Sequence, residues 1–157
     1  VSLLVLHAIS LPPGQFSGNA IEALFTNQLV ADEHPFFAEI AHLRVSAHLL
    51  IRRDGECVQF VDTDQRAWHA GRSYWRDTRD QEWRTALNDF AVGIELEGDD
   101  VTPFTKAQYV TLAEAVKWLM ARYPCWIARV LPVMRMWRHC AKRILGPRLI
   151  GRILISD

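Results

Sequence analysis

A histidine and a glutamate, each inside an apolar stretch, are the residues best suited to metal binding or proton transfer. His7 ends the apolar run that begins at Leu3, and Glu95 follows Gly93 by two residues inside a second strand-like run. An unpaired charge in such a run is costly, so its presence indicates a site. A strand-end imidazole facing a strand-borne carboxylate suggests metal-assisted hydrolysis, in which His7 holds a divalent ion and Glu95 takes a proton from its water.

Each of these two residues also has a structural alternative. His7 would serve equally as a hydrogen-bonded core histidine, and Glu95 as a carboxylate paired with an arginine. A zinc hydrolase normally needs three protein ligands and an open coordination position, and His7 is the one ligand that this pattern identifies. The residues by themselves therefore leave both interpretations open.

A second group of candidates lies between the two strands. Trp68 and His69 precede Gly71, where a flat ring and an imidazole suit a sugar or a peptide, although a packed tryptophan corner fits as well. Arg44 is suited to bidentate contact with a substrate carboxylate, or to pairing with a nearby acid. Both pairs of alternatives stay open at this point.

The other histidines carry weaker signals. His34 lies in a polar stretch before Pro35 and is expected to be a loop residue. His42 and His48 do not have the His-x-x-x-His spacing of helical zinc proteases, so a core or hydrogen-bonding role is expected for both.

The elements that must position these residues are strands mixed with helices. A strand from 46 to 51 runs into the Asp54-Gly55 hairpin turn, and Thr105 is a candidate cap for a helix from 105 to 122. The charged, irregular stretch 72–87 is expected to be a surface loop. The pattern predicts an α/β protein with a mixed β-sheet flanked by helices.

Composition limits the class of protein. The chain has 157 residues, is half hydrophobic and carries no net charge, which suits one globular domain. Its apolar runs are shorter than the roughly 20 residues that cross a bilayer, and no secretion leader opens it, so we expect a cytoplasmic protein. Three cysteines without paired spacing argue against a disulfide framework or a cysteine-rich zinc site.

The charge is unevenly distributed along the chain. Residues 1–124 carry 11 basic and 17 acidic side chains, whereas 125–157 carry 7 basic and 1 acidic. Tails that bind nucleic acid or membranes are usually polar and lysine-rich, but this one alternates arginine with large apolar residues. We therefore expect neither nucleic acid nor membrane as a partner.

Several segments of residues 1–124, in the same order along the chain, closely resemble the AmpD family. These are the cytosolic 1,6-anhydro-N-acetylmuramyl-L-alanine amidases of bacterial peptidoglycan recycling. The segments that carry this resemblance are Leu4-Val5-Leu6-His7-Ala8-Ile9-Ser10-Leu11-Pro12-Pro13-Gly14, His34-Pro35-Phe36-Phe37, Leu43-Arg44-Val45-Ser46-Ala47-His48, Arg66-Ala67-Trp68-His69-Ala70-Gly71, Asn88-Asp89-Phe90 and Gly93-Ile94-Glu95-Leu96-Glu97-Gly98. The resemblance implies the fold shared by phage lysozyme and the peptidoglycan-recognition proteins.

The resemblance also implies a chemistry and a set of site residues. It implies a Zn²⁺ amidase that cuts the bond between anhydro-N-acetylmuramic acid and L-alanine of a muropeptide, and we expect it to act as a monomer. His7 matches the first zinc ligand and Glu95 the catalytic glutamate. Arg44 matches a region that grips the stem peptide, and Trp68 and His69 belong to a motif near the cleft.

The chain departs from the family pattern after its long helix. The motifs that hold the family's remaining zinc ligands and its oxyanion-stabilising lysine do not appear in 125–157, where His139 is the one substitute ligand to consider. We therefore divide the chain into an amidase domain, 1–124, and a divergent basic tail, 125–157. One hypothesis is that a shifted reading frame produced this tail. Two other hypotheses are a muropeptide-binding module without metal and an inactive, pseudogene-like fragment.

Overall fold

The structure is a computed structural model that describes residues 1–77, 80–99 and 101–123, together with the backbones of 130–132 and 153–155. The strands are β1 (Leu3–Ile9), β2 (Leu49–Ile51), β3 (Cys57–Gln59), β4 (Ser73–Arg76), β5 (Trp83–Thr85), β6 (Ala91–Glu97), β7 (Val130–Pro132) and β8 (Ile153–Ile155). The helices are α1 (Ala20–Phe25), α2 (Pro35–Ile40) and α3 (Lys106–Arg122).

Five of the strands form a mixed sheet in the order β3-β2-β6-β1-β7. β6 runs parallel to both β1 and β2, and β1 runs parallel to β7, whereas β2 and β3 form an antiparallel hairpin. The hairpin turns at Gly55, whose φ of 94° is in the left-handed region that glycine adopts without strain. The predicted α/β class, a mixed sheet flanked by helices, is confirmed, and so is the hairpin.

The alternation of side chains along β1 and β6 separates the two faces of the sheet. Leu4, Leu6 and Ile94 lie on the face that α3 covers. Leu3 and Val5 lie on the opposite face with Ala91. Since His7 and Glu95 are in register and continue this second series, both point away from α3. Helices α1 and α2 cover the neighbouring part of that face, over β2.

Helix α3 begins at a capping box that also joins it to the sheet. The Thr105 hydroxyl accepts a hydrogen bond from the backbone N–H of Gln108 at 3.1 Å, and Gln108 Oε1 accepts from the Thr105 N–H at 3.0 Å. Gln108 is fully buried, and its Nε2 donates to the carbonyls of Ile51 at 3.2 Å and Glu97 at 2.9 Å. The predicted cap at Thr105 is confirmed.

The predicted surface loop over 72–87 is wrong. This segment contains β4 and β5, which pair antiparallel in a second sheet of order β5-β4-β8. Along β4, Ser73 and Trp75 are buried while Tyr74 and Arg76 are exposed, which is the alternation typical of a strand with one buried face. The many charged residues around this short pattern obscure it in the sequence.

Some predictions concern residues that the structure describes only in part. Of the basic tail, 125–157, the backbones of β7 and β8 alone are described, so the division at residue 124 stays a prediction. Across the described helices, none combines the length and the apolar composition that a membrane span requires.

We expect Gln108→Ala to lower the free energy of unfolding by about 1–3 kcal/mol, because it leaves the buried carbonyls of Ile51 and Glu97 without their donor. Urea unfolding measures the change. Gln28→Ala is the matched control, since Gln28 is exposed, and it should change stability by less than about 0.5 kcal/mol. Equal effects of the two substitutions would contradict this account of how α3 is joined to the sheet.

Candidate functional site

The structure places His7 and Glu95 next to each other on adjacent parallel strands. Their Cα atoms are register partners between β1 and β6, so the two side chains leave the sheet at the same level and on the same face. Both are buried, with 8% and 7% of their surface exposed. An imidazole and a carboxyl group therefore lie side by side in a region largely shielded from water.

Glu95 lines a cavity of about 380 Å³, and other site residues predicted from the sequence line it as well. Arg44, Trp68 and His69 line this cavity together with Glu95. A neighbouring cavity of about 470 Å³ is lined by Arg44 and Trp68 as well, and by Asn27. The two cavities thus share residues and form a groove that leads to the carboxyl group.

His69 approaches His7 over the end of this groove. His69 Nδ1 lies 3.0 Å from His7 Nε2, and the ring centroids are 5.2 Å apart in an edge-to-face arrangement. The ring of His48 lies on the other side of His69, with centroids 5.6 Å apart. The structure therefore brings together three histidines that are widely separated in the sequence.

Gly93 makes this cluster possible. A Cβ atom at this position would lie 2.4 Å from Cγ of His69, which is far inside van der Waals contact. The Gly93 backbone N–H donates to His48 Nδ1 at 2.9 Å, and the Gly93 carbonyl accepts from the His48 N–H at 3.1 Å. With Nδ1 of His48 accepting, its Nε2 carries the hydrogen and donates to the carbonyl of Gln65 at 3.0 Å.

Two polar side chains hold the backbone of the Trp68-His69 segment. Asn88 Oδ1 accepts hydrogen bonds from the backbone N–H groups of His69 at 3.1 Å and Ala70 at 2.9 Å. The Ser46 hydroxyl accepts from the Trp68 N–H at 3.0 Å. Neither Asn88 nor Ser46 is among the predicted site residues, because an isolated Asn or Ser in a loop carries no distinctive signal. Both lie within the segments that carry the family resemblance.

Trp68 and Arg44 lie at the rim of the groove. Trp68 is 53% exposed, which argues against a packed tryptophan corner. The Arg66 guanidinium lies 4.1 Å from the centroid of the Trp68 ring and also pairs with Asp89 at 3.0 Å. Arg44 is exposed and donates to the side-chain amide oxygen of Asn27 at 3.4 Å, so its partner among the described residues is not an acid.

Burial favours the uncharged forms of the ionisable groups at the floor of the site. Desolvation raises the pKa of Glu95 to about 8 and lowers the pKa of His7 to about 4. Desolvation, with His7 and His48 nearby, holds the pKa of His69 well below its ordinary value, and burial also lowers the pKa of His48. No arginine or lysine in the described part of the chain forms an ion pair with Glu95, so the alternative of an Arg-paired carboxylate finds no support there.

The described residues do not complete a zinc site. No group of three or more His, Cys, Asp or Glu side chains in 1–77, 80–99 and 101–123 is arranged to hold a metal ion. His7 is buried and neutral, as a ligand must be, but it lacks two further ligands within this part of the chain. His139, the substitute ligand considered from the sequence, lies outside the described residues.

His34 and His42 lie away from the cavity that Glu95 lines. His34 caps α2 through Nδ1, which accepts from the Phe36 N–H at 3.0 Å. His42 is exposed in the turn after α2, which contradicts the core alternative for it, while its hydrogen-bonding alternative stays a prediction. For His48 the hydrogen-bonding role is confirmed.

Comparison with known proteins places these observations in a family. The profile of the N-acetylmuramoyl-L-alanine amidase family matches residues 1–147. The 1,6-anhydro-N-acetylmuramyl-L-alanine amidase AmpD of Salmonella typhimurium strain SL1344 is 59% identical over 123 residues, which are 78% of this chain and 63% of that protein. AmpD of Escherichia coli K12 is 57% identical over 123 residues, 78% of this chain and 64% of that protein. The chain thus spans less than two thirds of the length of these relatives.

Solved structures show the same architecture. The crystal structure of a selenomethionine AmpD derivative superimposes with a TM-score of 0.77 at 50% identity, over 94% of this chain and 74% of that one. A complex of the N-acetylmuramyl-L-alanine amidase AmiD from E. coli with anhydro-N-acetylmuramic acid-L-Ala-D-gamma-Glu-L-Lys gives a TM-score of 0.55 at 26% identity, over 84% of this chain and 48% of that one. These likenesses confirm the fold that the sequence motifs imply.

Gly93→Ala should displace the His69 ring, because the added methyl group occupies its position. We expect the free energy of unfolding to fall by about 1–3 kcal/mol and the imidazole NMR signals of His69 and His7 to shift. Gly98→Ala is a matched control on the opposite face, where the new Cβ would lie 2.5 Å from Cε1 of Phe104. It should destabilise the fold and leave both histidine signals in place; loss of those signals in the control would refute the assignment.

The stability difference between Glu95→Gln and the wild type should depend on pH. Because the folded pKa of Glu95 is about 8 and its ordinary value is 4.5, the carboxyl group is neutral in both states at low pH. Between these values the unfolded chain alone releases the proton, so the wild type loses stability relative to Glu95→Gln as pH rises. We expect a difference of a few kcal/mol that grows from about pH 4.5 to pH 8 and then levels off.

Urea unfolding of both proteins from pH 4 to pH 9, in buffer containing a chelator, tests this difference. His7 titrates in both proteins, so its contribution cancels in the comparison. A difference that stays constant over the whole range would show that Glu95 is not buried as the structure describes.

Proposed function

The chain belongs to the N-acetylmuramoyl-L-alanine amidase family, as its motifs predict, and from that membership we propose that it hydrolyses the amide bond between (anhydro-)N-acetylmuramic acid and L-alanine of muropeptides. The observation that carries this proposal is the placement of Glu95 beside His7 at the end of a groove lined by Arg44 and Trp68. We assign the activity to cell-wall recycling in the cytoplasm, with the chain acting as a monomer.

Glu95 is the proposed catalytic residue, as a proton shuttle. Hydrolysis adds the oxygen of water to the amide carbon, breaks the C–N bond and transfers a proton from water to the leaving amine. With a pKa near 8, the Glu95 carboxyl group exchanges protons at neutral pH far more readily than an ordinary glutamic acid. Its neighbour His7 presents a neutral imidazole at the same level of the sheet.

The groove supplies the proposed substrate contacts. Arg44 is an exposed cation suited to a carboxylate of the stem peptide, and the half-exposed ring of Trp68 suits a sugar face or peptide backbone. His69 lines the same cavity as Glu95 and is the third residue that we assign to this surface. Neutral surroundings deeper in the site favour the uncharged amide over the ionised ends of the substrate.

Zinc dependence is a separate part of the proposal. The family resemblance implies Zn²⁺, for which His7 supplies one protein ligand. The others, with His139 as a candidate, would have to come from residues beyond those that the structure describes. We assign no catalytic step to the metal.

A second candidate function is muropeptide binding without hydrolysis. The observation that favours it is that the described residues retain the groove and Glu95 but hold no group of three metal ligands. The two candidates differ in turnover and in zinc content.

Incubation of the purified chain with an anhydro-muropeptide, combined with calorimetric binding and a zinc-to-protein ratio, separates them. An amidase should release the stem peptide, contain about one zinc per chain, and lose at least about 100-fold in rate on Glu95→Gln with little change in affinity. Glu39→Gln, at an exposed glutamate, is the control and should keep full activity.

Each of the other outcomes has a defined meaning. Saturable binding without turnover or zinc would overturn the amidase proposal and support the binding module. Neither binding nor turnover would contradict both and leave an inactive fragment as the remaining description.

A further inference from the structure

We propose that His69 is a positioning residue that holds His7 in a single tautomer, with the hydrogen on Nε2 and an unprotonated Nδ1. Its use in the reaction rests on the proposed function, but the hydrogen-bond arrangement itself does not. Two contacts of the His69 ring support this arrangement, together with the ability of each partner atom to donate or accept a hydrogen bond.

The first contact fixes the tautomer of His69. Its Nε2 lies 3.4 Å from the carbonyl oxygen of Ala91, and a carbonyl oxygen only accepts hydrogen bonds. The hydrogen of His69 is therefore on Nε2. A neutral imidazole carries one N–H, so Nδ1 of His69 has a free lone pair and acts as an acceptor.

The surroundings keep His69 neutral. The ring lies between the imidazoles of His7 and His48, with no carboxylate hydrogen-bonded to it among the described residues. His48 is fixed independently, since the Gly93 N–H occupies its Nδ1 and Gln65 accepts from its Nε2.

The second contact passes this constraint to His7. Nε2 of His7 lies 3.0 Å from Nδ1 of His69, and since that Nδ1 accepts, Nε2 of His7 must donate. The hydrogen-bond chain thus runs from His7 Nε2–H to His69 Nδ1 and from His69 Nε2–H to the Ala91 carbonyl. The remaining nitrogen of His7, Nδ1, keeps its lone pair and is the atom able to accept a proton or to bind a metal ion.

The position of the His69 ring is itself fixed from two sides. Asn88 Oδ1 accepts a hydrogen bond from the backbone N–H of His69. Gly93 has no side chain, which leaves the space that the His69 ring fills. The acceptor that His7 faces is therefore part of the folded framework, and it sets the orientation of His7 before any substrate binds.

Nitrogen-15 NMR of the histidine side chains in the full chain at neutral pH, as purified, tests the proposal without substrate. In the wild type we expect His7 Nε2 to carry a slowly exchanging hydrogen and to show a scalar coupling across the hydrogen bond to His69 Nδ1. His69→Phe keeps a ring in place but removes the acceptor, so the coupling should vanish and the Nε2 hydrogen should exchange faster. His34→Phe, at a histidine outside the cluster, should leave the His7 signals unchanged.

A hydrogen on Nδ1 of His7 in the wild type, or on Nδ1 of His69, would overturn the assignment. So would unchanged exchange of the His7 Nε2 hydrogen in a folded His69→Phe variant. If that variant does not fold, the coupling in the wild type decides the question alone. Because the readout needs no muropeptide, absence of hydrolysis would contradict the proposed function and leave this result intact.

Discussion

The site depends on the space above Gly93. This residue lies in β6, between β1 and β2, and the ring of His69 fills the volume that any side chain would occupy. The same residue binds His48 through both its N–H and its carbonyl group. Because Gly93 has no side chain, the imidazoles of His69 and His48 can both pack against the sheet at this point. This packing brings His69 into contact with His7.

Burial of ionisable groups is tolerated here because they are neutral. An isolated buried charge costs several kcal/mol, and proteins commonly avoid the cost through a shifted pKa. Desolvation raises the pKa of Glu95 and lowers the pKa values of His7 and His69, so it favours the uncharged form of all three groups. The same desolvation brings the pKa of Glu95 near neutrality, where proton transfer is most effective. The face of the sheet opposite α3 therefore combines a hydrophobic core with a reactive end.

Local sequence patterns predicted the parts of the fold that have strong local signals. The Thr105 cap, the Asp54-Gly55 turn and the apolar strand before His7 were each identified from adjacent residues. The hairpin over 72–87 was missed, because its strands are short and its buried residue Trp75 gains its partners from the rest of the fold. Charged residues on the exposed face make such a strand look like a loop.

Motifs and hydrophobic periodicity are properties of neighbouring residues, and they identify the family, the mixed α/β architecture and the candidates His7 and Glu95. Which groups meet depends on the packed fold. His7 and His69 are 62 residues apart in the chain, and His48 and Gly93 are 45 apart. Contacts at such separations are set by strand register and by the space between packed elements, neither of which a local pattern contains.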